Sequence, residues 1–354
     1  MAAGARGRQV FGGVDTHGRT HHAAAVDGTG QVLGDQEFPA TTAGYDALIT
    51  WLRQLGEIVR IGVEGTGSYG AGLARAAAAA QIAVAEVDRP DRRARRRKGK
   101  SDPLDALAAA RAALSGEAAG IPKARTGPVE AIRALRVARR GAIKARTAAL
   151  NQLHGLIVSA PAAIRAPLDG LKRQDLVSRC AAFRVEDSRI AEPAMAVRAA
   201  LRAVARRIIA LQEEIRVADR RIAPLTAAVA PKTTALFGVG AEVAGQMLVT
   251  AGDNPERLRS EAAFAHLCAA APIPASSGRT DRHRLNRGGD RAANAALYMV
   301  VVTRMRRHEP TRAYVKRRTA QGLSKTDIIR CLKRFAAREI YHAIRADFEA
   351  GPAT

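Results

Sequence analysis

The run Val10–Thr16, VFGGVDT, constrains this chain more than any other stretch. It is a short apolar segment that delivers one carboxylate, Asp15, at its end, and an acid held where a buried strand emerges is rigid and half desolvated. Its neighbours extend the pattern. Val10–Asp15, His22–Val26 and Gln31–Phe38 read as three strands, with Gly28-Thr29-Gly30 turning the chain between the last two. Thr42–Leu55 then sets Tyr45, Leu48, Ile49 and Leu52 at helical spacing behind a Thr41 or Thr42 cap. Ile58–Val63 returns as an apolar strand ending in Glu64.

After Gly65, Gly67 and Gly70, an Ala-rich helix, Gly72–Ala80, leads to another buried strand, Ile82–Val87. A meander followed by alternating helices and strands makes a mixed sheet, in the order of a ribonuclease H-like fold. An ordinary α/β sheet with surface acids fits the same topology. Arg92–Lys100, RRARRRKGK, places Arg92, Arg93, Arg95, Arg96, Arg97, Lys98 and Lys100 in a stretch without apolar period, a loop or arm. Directly after it, Ser101-Asp102-Pro103-Leu104-Asp105 reads as a helix start with Asp102 as cap and Pro103 at the first helical position. Asp102 and Asp105 share the first turn, where the helix dipole favours acids with or without a metal.

Gly and Pro between Ser115 and Pro128 close this first unit, expected over 8–127. The second, 128–230, is helical. Val129–Ile157 is Arg-rich with Ile132, Leu135, Ile143, Leu150, Leu153 and Ile157 on its apolar side. Leu201, Val204, Ile208, Leu211, Ile215, Ala218 and Ile222 then alternate three and four residues apart, the seam of a coiled coil that Pro224 is expected to end. Packing on helices of the same chain and self-association both satisfy that seam.

The third unit, 231–348, opens on Leu236-Phe237-Gly238-Val239-Gly240-Ala241. Gly238 and Gly240 before a helix start would expose backbone N–H groups to phosphate, as in a helix-hairpin-helix element, although such a pair is also a common turn. Ala271–Asn294, APIPASSGRTDRHRLNRGGDRAAN, reads as a loop or a loop with a short hairpin. It carries Ser276 and Ser277 among Arg279, Arg282, Arg284, Arg287 and Arg291. Helices Ala292–Arg307 and Ser324–Phe348 end the chain. The fold class is thus α/β plus all-α.

Lys and Arg number 57 against 33 Asp and Glu, a formal charge of +24, which points to a polyanion and first to nucleic acid. With aromatics at 4% of residues, backbone contacts should carry more of the affinity than stacking. No run of 18 apolar residues exists, and MAAGARGRQ leads straight into a strand, so neither a membrane span nor a signal peptide is expected. Cys180, Cys268 and Cys331 fit neither a disulfide ladder nor a zinc pattern, which suits a reducing, cytoplasmic compartment.

Four acids at element ends, Asp15, Glu64, Asp102 and Asp105, are what two-metal phosphodiester chemistry requires. Two Mg²⁺ ions roughly 3.5–4 Å apart stabilise the attacking and leaving oxygens. The serine pair is either a phosphate-contacting turn or a nucleophile that needs its proton removed and the developing charge neutralised.

Five stretches taken together carry a resemblance: GVDTHGRTHHAAAVD from Gly13, GVEGTGSYG from Gly62, RRARRRKGKSDPLDA from Arg92, LFGVGAEVA from Leu236, and the Ala271–Asn294 loop. In order and spacing they resemble the DEDD transposases of insertion-sequence family one-hundred-ten over almost the whole chain. The resemblance implies a resolvase-like N-terminal domain with Asp15, Glu64, Asp102 and Asp105 as Mg²⁺ ligands. It also implies a catalytic serine directly before a glycine, here Ser277 before Gly278. It further implies a structured non-coding guide RNA pairing with double-stranded donor and target DNA, and a covalent phosphoserine intermediate. The active site would be composite, shared between subunits of a dimer or a tetrameric synapse. The competing expectations are a metal-dependent, structure-specific endonuclease in which Ser277 only contacts phosphate, and a non-catalytic nucleic-acid-binding protein.

Overall fold

The computed structural model describes residues 7–87, 101–118, 120–279 and 283–351. The basic stretch Arg92–Lys100 and Arg282 lie outside the described residues.

Five strands form one sheet: β1 Gln9–Thr16, β2 Thr20–Asp27, β3 Val32–Pro39, β4 Glu57–Glu64 and β5 Val84–Val87. Their order is β3-β2-β1-β4-β5. The β1/β2 and β2/β3 pairs are antiparallel, and β1/β4 and β4/β5 are parallel. This is a mixed sheet of the ribonuclease H-like kind. Helix α1, Thr42–Leu55, starts as its sequence dictates, with the Thr41 hydroxyl accepting from Gly44 N at 3.2 Å. Its Leu48, Ile49 and Leu52 join Val10, Val14, Ile61 and Val63 in the core of one sheet face, together with Leu73 of α2, Ala71–Ala79.

The other face is closed by α3, Asp102–Ser115, and here the glycines of VFGGVDT find their use. Side chains alternate along a strand, so Gly13 and Gly62 face α3. A β-carbon on Gly13 would collide with the backbone of Ala106 and Ala110, and one on Gly62 with the carbonyl of Ala109. Ala106, Ala109, Ala110 and Ala113 are buried in return. The helix rests backbone-on-backbone on the sheet. It also begins one position earlier than the Asp-Pro spacing suggests: Ser101, not Asp102, is the N-cap. Ser101 is extended and its carbonyl accepts from Asp105 N at 3.0 Å, which makes Asp102 the first helical residue.

Two long helices follow, α4 Pro128–Val158 and, after α5 Arg173–Ala181, α6 Pro193–Val229. Ala149 and Leu153 of α4 meet Leu201, Val204 and Ile208 of α6, while Val129 and Ile132 meet Leu225 and Val229, so the pair is antiparallel. The apolar seam from Leu201 to Ile222 is therefore buried within the chain. Pro224 does not end α6, which continues to Val229. A helix-interior proline costs about 3 kcal/mol. The apolar contacts of Leu225 and Val229 beyond it offset that cost.

The C-terminal core gathers Met247 of α7 (Ala241–Ala251), Phe264 of α8 (Glu261–Leu267), Leu297 and Val300 of α9 (Arg291–Arg307), and Ile340 and Ile344 of α11 (Lys325–Ala350). Between the last two lies α10, Glu309–Ala320, a stretch to which the sequence reading assigns no element. This unit is stitched to what precedes it. The Asp253 carboxylate accepts from Val129 N at 2.9 Å, Asn254 bonds Pro122 O and Ala124 N, and Arg136 forks onto Glu242 at 2.9 Å. All three cysteines are free thiols. No described helix is long and apolar enough to cross a membrane.

Candidate metal centre and nucleic-acid interface

Asp15 has the same strand parity as Gly13, and Glu64 the same as Gly62, so both acids face α3. Val14 pairs with Val63 in the parallel register, which puts Asp15 and Glu64 side by side at the open ends of β1 and β4. The Thr16 hydroxyl fastens the two ends by donating to Glu64 O at 2.9 Å. Because α3 sits directly on Gly13, its first turn arrives over the same spot.

What closes there is a group of three: Asp15, His17 and Asp102 each offer an atom, all within 4.8 Å of one another. His17 Nε2 stands 3.4 Å from Asp15 Oδ2 and 3.3 Å from Asp102 Oδ1. Asp15 is buried, while the side chains of His17 and Asp102 are 40% and 43% exposed, so the group is open to a substrate. Of the four predicted acids, Asp15 and Asp102 enter it. Glu64 at the end of β4 and buried Asp105, one turn into α3, flank it without being members.

His17 was not among the expected ligands. The available signal was its place two residues beyond Asp15, which repeats the strand parity past the end of β1; a histidine in GVDTHGRTHH is otherwise one of three with nothing to distinguish it. The donor set fits a divalent cation. The two carboxylates suit hard Mg²⁺, and the imidazole nitrogen adds a donor that Mn²⁺ or Zn²⁺ takes more readily. Behind the site His21 is buried, stacked 5.5 Å from Tyr45 and bonded to Thr20 O at 3.0 Å. Burial lowers its pKa.

The other predicted residues belong to the C-terminal unit. Ser276 and Ser277 are exposed on a hairpin whose two-residue strands are β6 Ile273–Pro274 and β7 His283–Arg284. Gly278 turns the chain with φ of 57°. Arg279, Arg284 and Arg287 are exposed beside them. Gly238 has φ of 77°, and Gly240 is the N-cap of α7, but Glu242 already brings negative charge to that first turn and is held by Arg136 and Arg139.

A ribonuclease H-like sheet that gathers acids at adjacent strand ends and covers them with the start of a helix is the architecture of nucleic-acid-cutting enzymes, nucleases and transposases among them. The DEDD transposase profile of IS110 elements matches residues 12–160, and the profile described as "Transposase IS116/IS110/IS902 family" matches residues 232–316. The chain belongs to the IS110 family of transposases. The first match takes in the sheet apart from the first three residues of β1, with α3 and all of α4; the second takes in the glycine turn and the serine hairpin. No curated protein matches the chain.

Proposed function

We propose that the chain cuts DNA strands for transposition by Mg²⁺-dependent phosphodiester chemistry. The observation that carries this reading is the closure of Asp15, His17 and Asp102 at the open end of β1, in a chain of net charge +24. Asp15 and Asp102 would hold the cation, with Glu64 and Asp105 next to it. A bound divalent ion acidifies an attacking water or hydroxyl and offsets charge on the leaving oxygen. The remaining work falls to the protein: Arg279, Arg284 and Arg287, with the basic stretch Arg92–Lys100, neutralise phosphates, and Thr16 keeps the two strand ends in register. The test is nicking of a supercoiled plasmid carrying the element's ends. Asp15→Asn and Asp102→Asn should each abolish Mg²⁺-dependent nicking, and nicking that persists in either variant or in excess chelator overturns the proposal.

A finer reading is supported by the family resemblance and by the exposure of Ser277 ahead of Gly278. In it the Ser277 hydroxyl loses its proton and its oxygen bonds to a DNA phosphorus, while the bond to a deoxyribose oxygen breaks and leaves a hydroxyl. A guide RNA selects donor and target duplexes, and the serine reaches the acids of another subunit in a dimer or tetrameric synapse in the bacterial cytoplasm. The competing reading is hydrolytic, and the triad within one domain favours it: water attacks and Ser277 only contacts phosphate. Denaturing gels separate them. A protein–DNA adduct lost in Ser277→Ala supports the nucleophile; nicking without adduct supports hydrolysis.

A further inference from the structure

A cavity of about 370 Å³ in the C-terminal unit plays no part in the metal centre. It lies between β7 with the residues that follow it, the segment Ala269–Pro272, and the first turns of α11. Apolar Pro272, Leu285 and Phe335 line it together with cationic Arg284, Arg330 and Lys333 and the acid Asp327. Leu285 and Phe335 are 51% and 40% exposed, in a chain with seven Phe, and Phe335 lies at the edge of the Val301–Ile328–Leu332 cluster, against Tyr314. Tyr314 meets the Phe335 ring edge-on, 5.4 Å between centroids at 85°, and so fixes its orientation.

The cations around this wall are incompletely matched. Arg330 pairs with Asp327 at 2.7 Å, and Arg334 with Glu261 at 2.6 Å. Buried Nη1 of Arg334 has no hydrogen-bond partner among the described residues. Lys333 donates to the neutral amide oxygen of Asn294 at 3.0 Å. Burial and the nearby Arg330 lower the Lys333 pKa, a penalty that an anion at the rim would relieve. The volume is near the low end of the roughly 300–1,000 Å³ typical of small-molecule pockets. A pocket of small-molecule size suits one base with its sugar better than a stacked base pair.

We propose that this cavity receives a single unstacked nucleotide of a DNA strand, its base against Phe335 and Leu285 and its phosphate on Lys333 and Arg284. The inference rests on the reading that the chain acts on DNA and is independent of the role of Ser277. Arg284 belongs to the hairpin that carries Ser277, so a nucleotide seated here would pin the strand beside that hairpin. An apolar slot with a cationic lip is how extruded bases are held, by stacking and by contact with the phosphate.

The test uses the full chain and fluorescence anisotropy with a short labelled DNA, single-stranded or as the duplex of the same sequence, and with RNA of that sequence. Phe335→Ala should weaken single-stranded DNA binding roughly tenfold, the scale of one lost stacking contact. It should leave duplex affinity within about twofold. Lys333→Gln should reduce the slope of log affinity against log salt by about one. Leu285→Ser, on the exposed lip, should reproduce the selective loss and covers the case in which Phe335→Ala fails to fold. Equal losses for both DNA forms, no loss for either, or a Phe335-dependent preference for RNA overturns the proposal. Nicking separates it from the proposed function. A chain that never nicks in Mg²⁺ yet shows the selective loss sinks only the nuclease reading, and one that nicks while Phe335→Ala binds normally sinks only the cavity.

Discussion

Gly13 of β1 and Ala110 of α3 approach so closely that no β-carbon fits between them. This contact brings an acid from a helix to an acid from a strand 87 positions earlier, because Asp102 stands two turns before Ala110 on a helix that cannot lift away from the sheet.

Gly13→Ala should therefore separate α3 from β1. The collision is with backbone, so destabilisation should exceed the ~1–3 kcal/mol usual for an overpacked core, and metal-dependent nicking should be lost. Gly12→Ala is the contrast, since its β-carbon would meet the end of the Leu52 side chain at 3.0 Å, which can give. Urea unfolding of the two variants checks this; equal losses would show that the close approach is not what matters.

His17 bears on metal preference. With the imidazole removed in His17→Ala, Mn²⁺ affinity should fall by roughly 10- to 100-fold, the scale for losing a partner in a metal site. Mg²⁺, held mainly by oxygen, should be affected less. Calorimetric titration of both ions decides it, and parallel losses would make His17 a general support rather than a ligand.

Acid should weaken the first domain through His21. In the unfolded chain this imidazole takes a proton near pH 6.5, while burial keeps it neutral to lower pH in the fold. The unfolded state then binds more protons below about pH 6.5, so stability falls with pH by at most about 1.4 kcal/mol per unit from this group. His21→Phe, which preserves a ring against Tyr45, should flatten the decline when thermal unfolding is compared at neutral and mildly acidic pH. An unchanged slope would refute the assignment.

Asp347 anchors the start of the C-terminal unit. The residue is 2% exposed, and its carboxylate accepts from Lys232 N at 2.8 Å, Thr233 N at 3.0 Å and the Thr233 hydroxyl at 2.6 Å. Asp347→Ala leaves all three donors unmatched and should cost about 2–5 kcal/mol. Asp347→Asn retains one acceptor oxygen and should cost less. Denaturant midpoints at constant slope measure both, and a loss under about 0.5 kcal/mol for the alanine variant would contradict the role.

Local chemistry alone set much of this molecule. Alternation and turn residues determine the strands of the meander, Thr41 determines where α1 begins, and the apolar spacing from Leu201 to Ile222 marks a buried helical seam, because each depends on neighbours a few residues away. The positions of Asp15 and Asp102 at element ends were legible for the same reason. Pairing was not. Whether the α6 seam would face another helix of this chain or another copy depends on where α4 returns, and the structure puts α4 there. The passage of α6 through Pro224 follows from contacts with Ile132 and Leu248, remote in sequence. His17 became a partner of Asp102 only when α3 settled on Gly13, a contact between backbones that no side-chain pattern records.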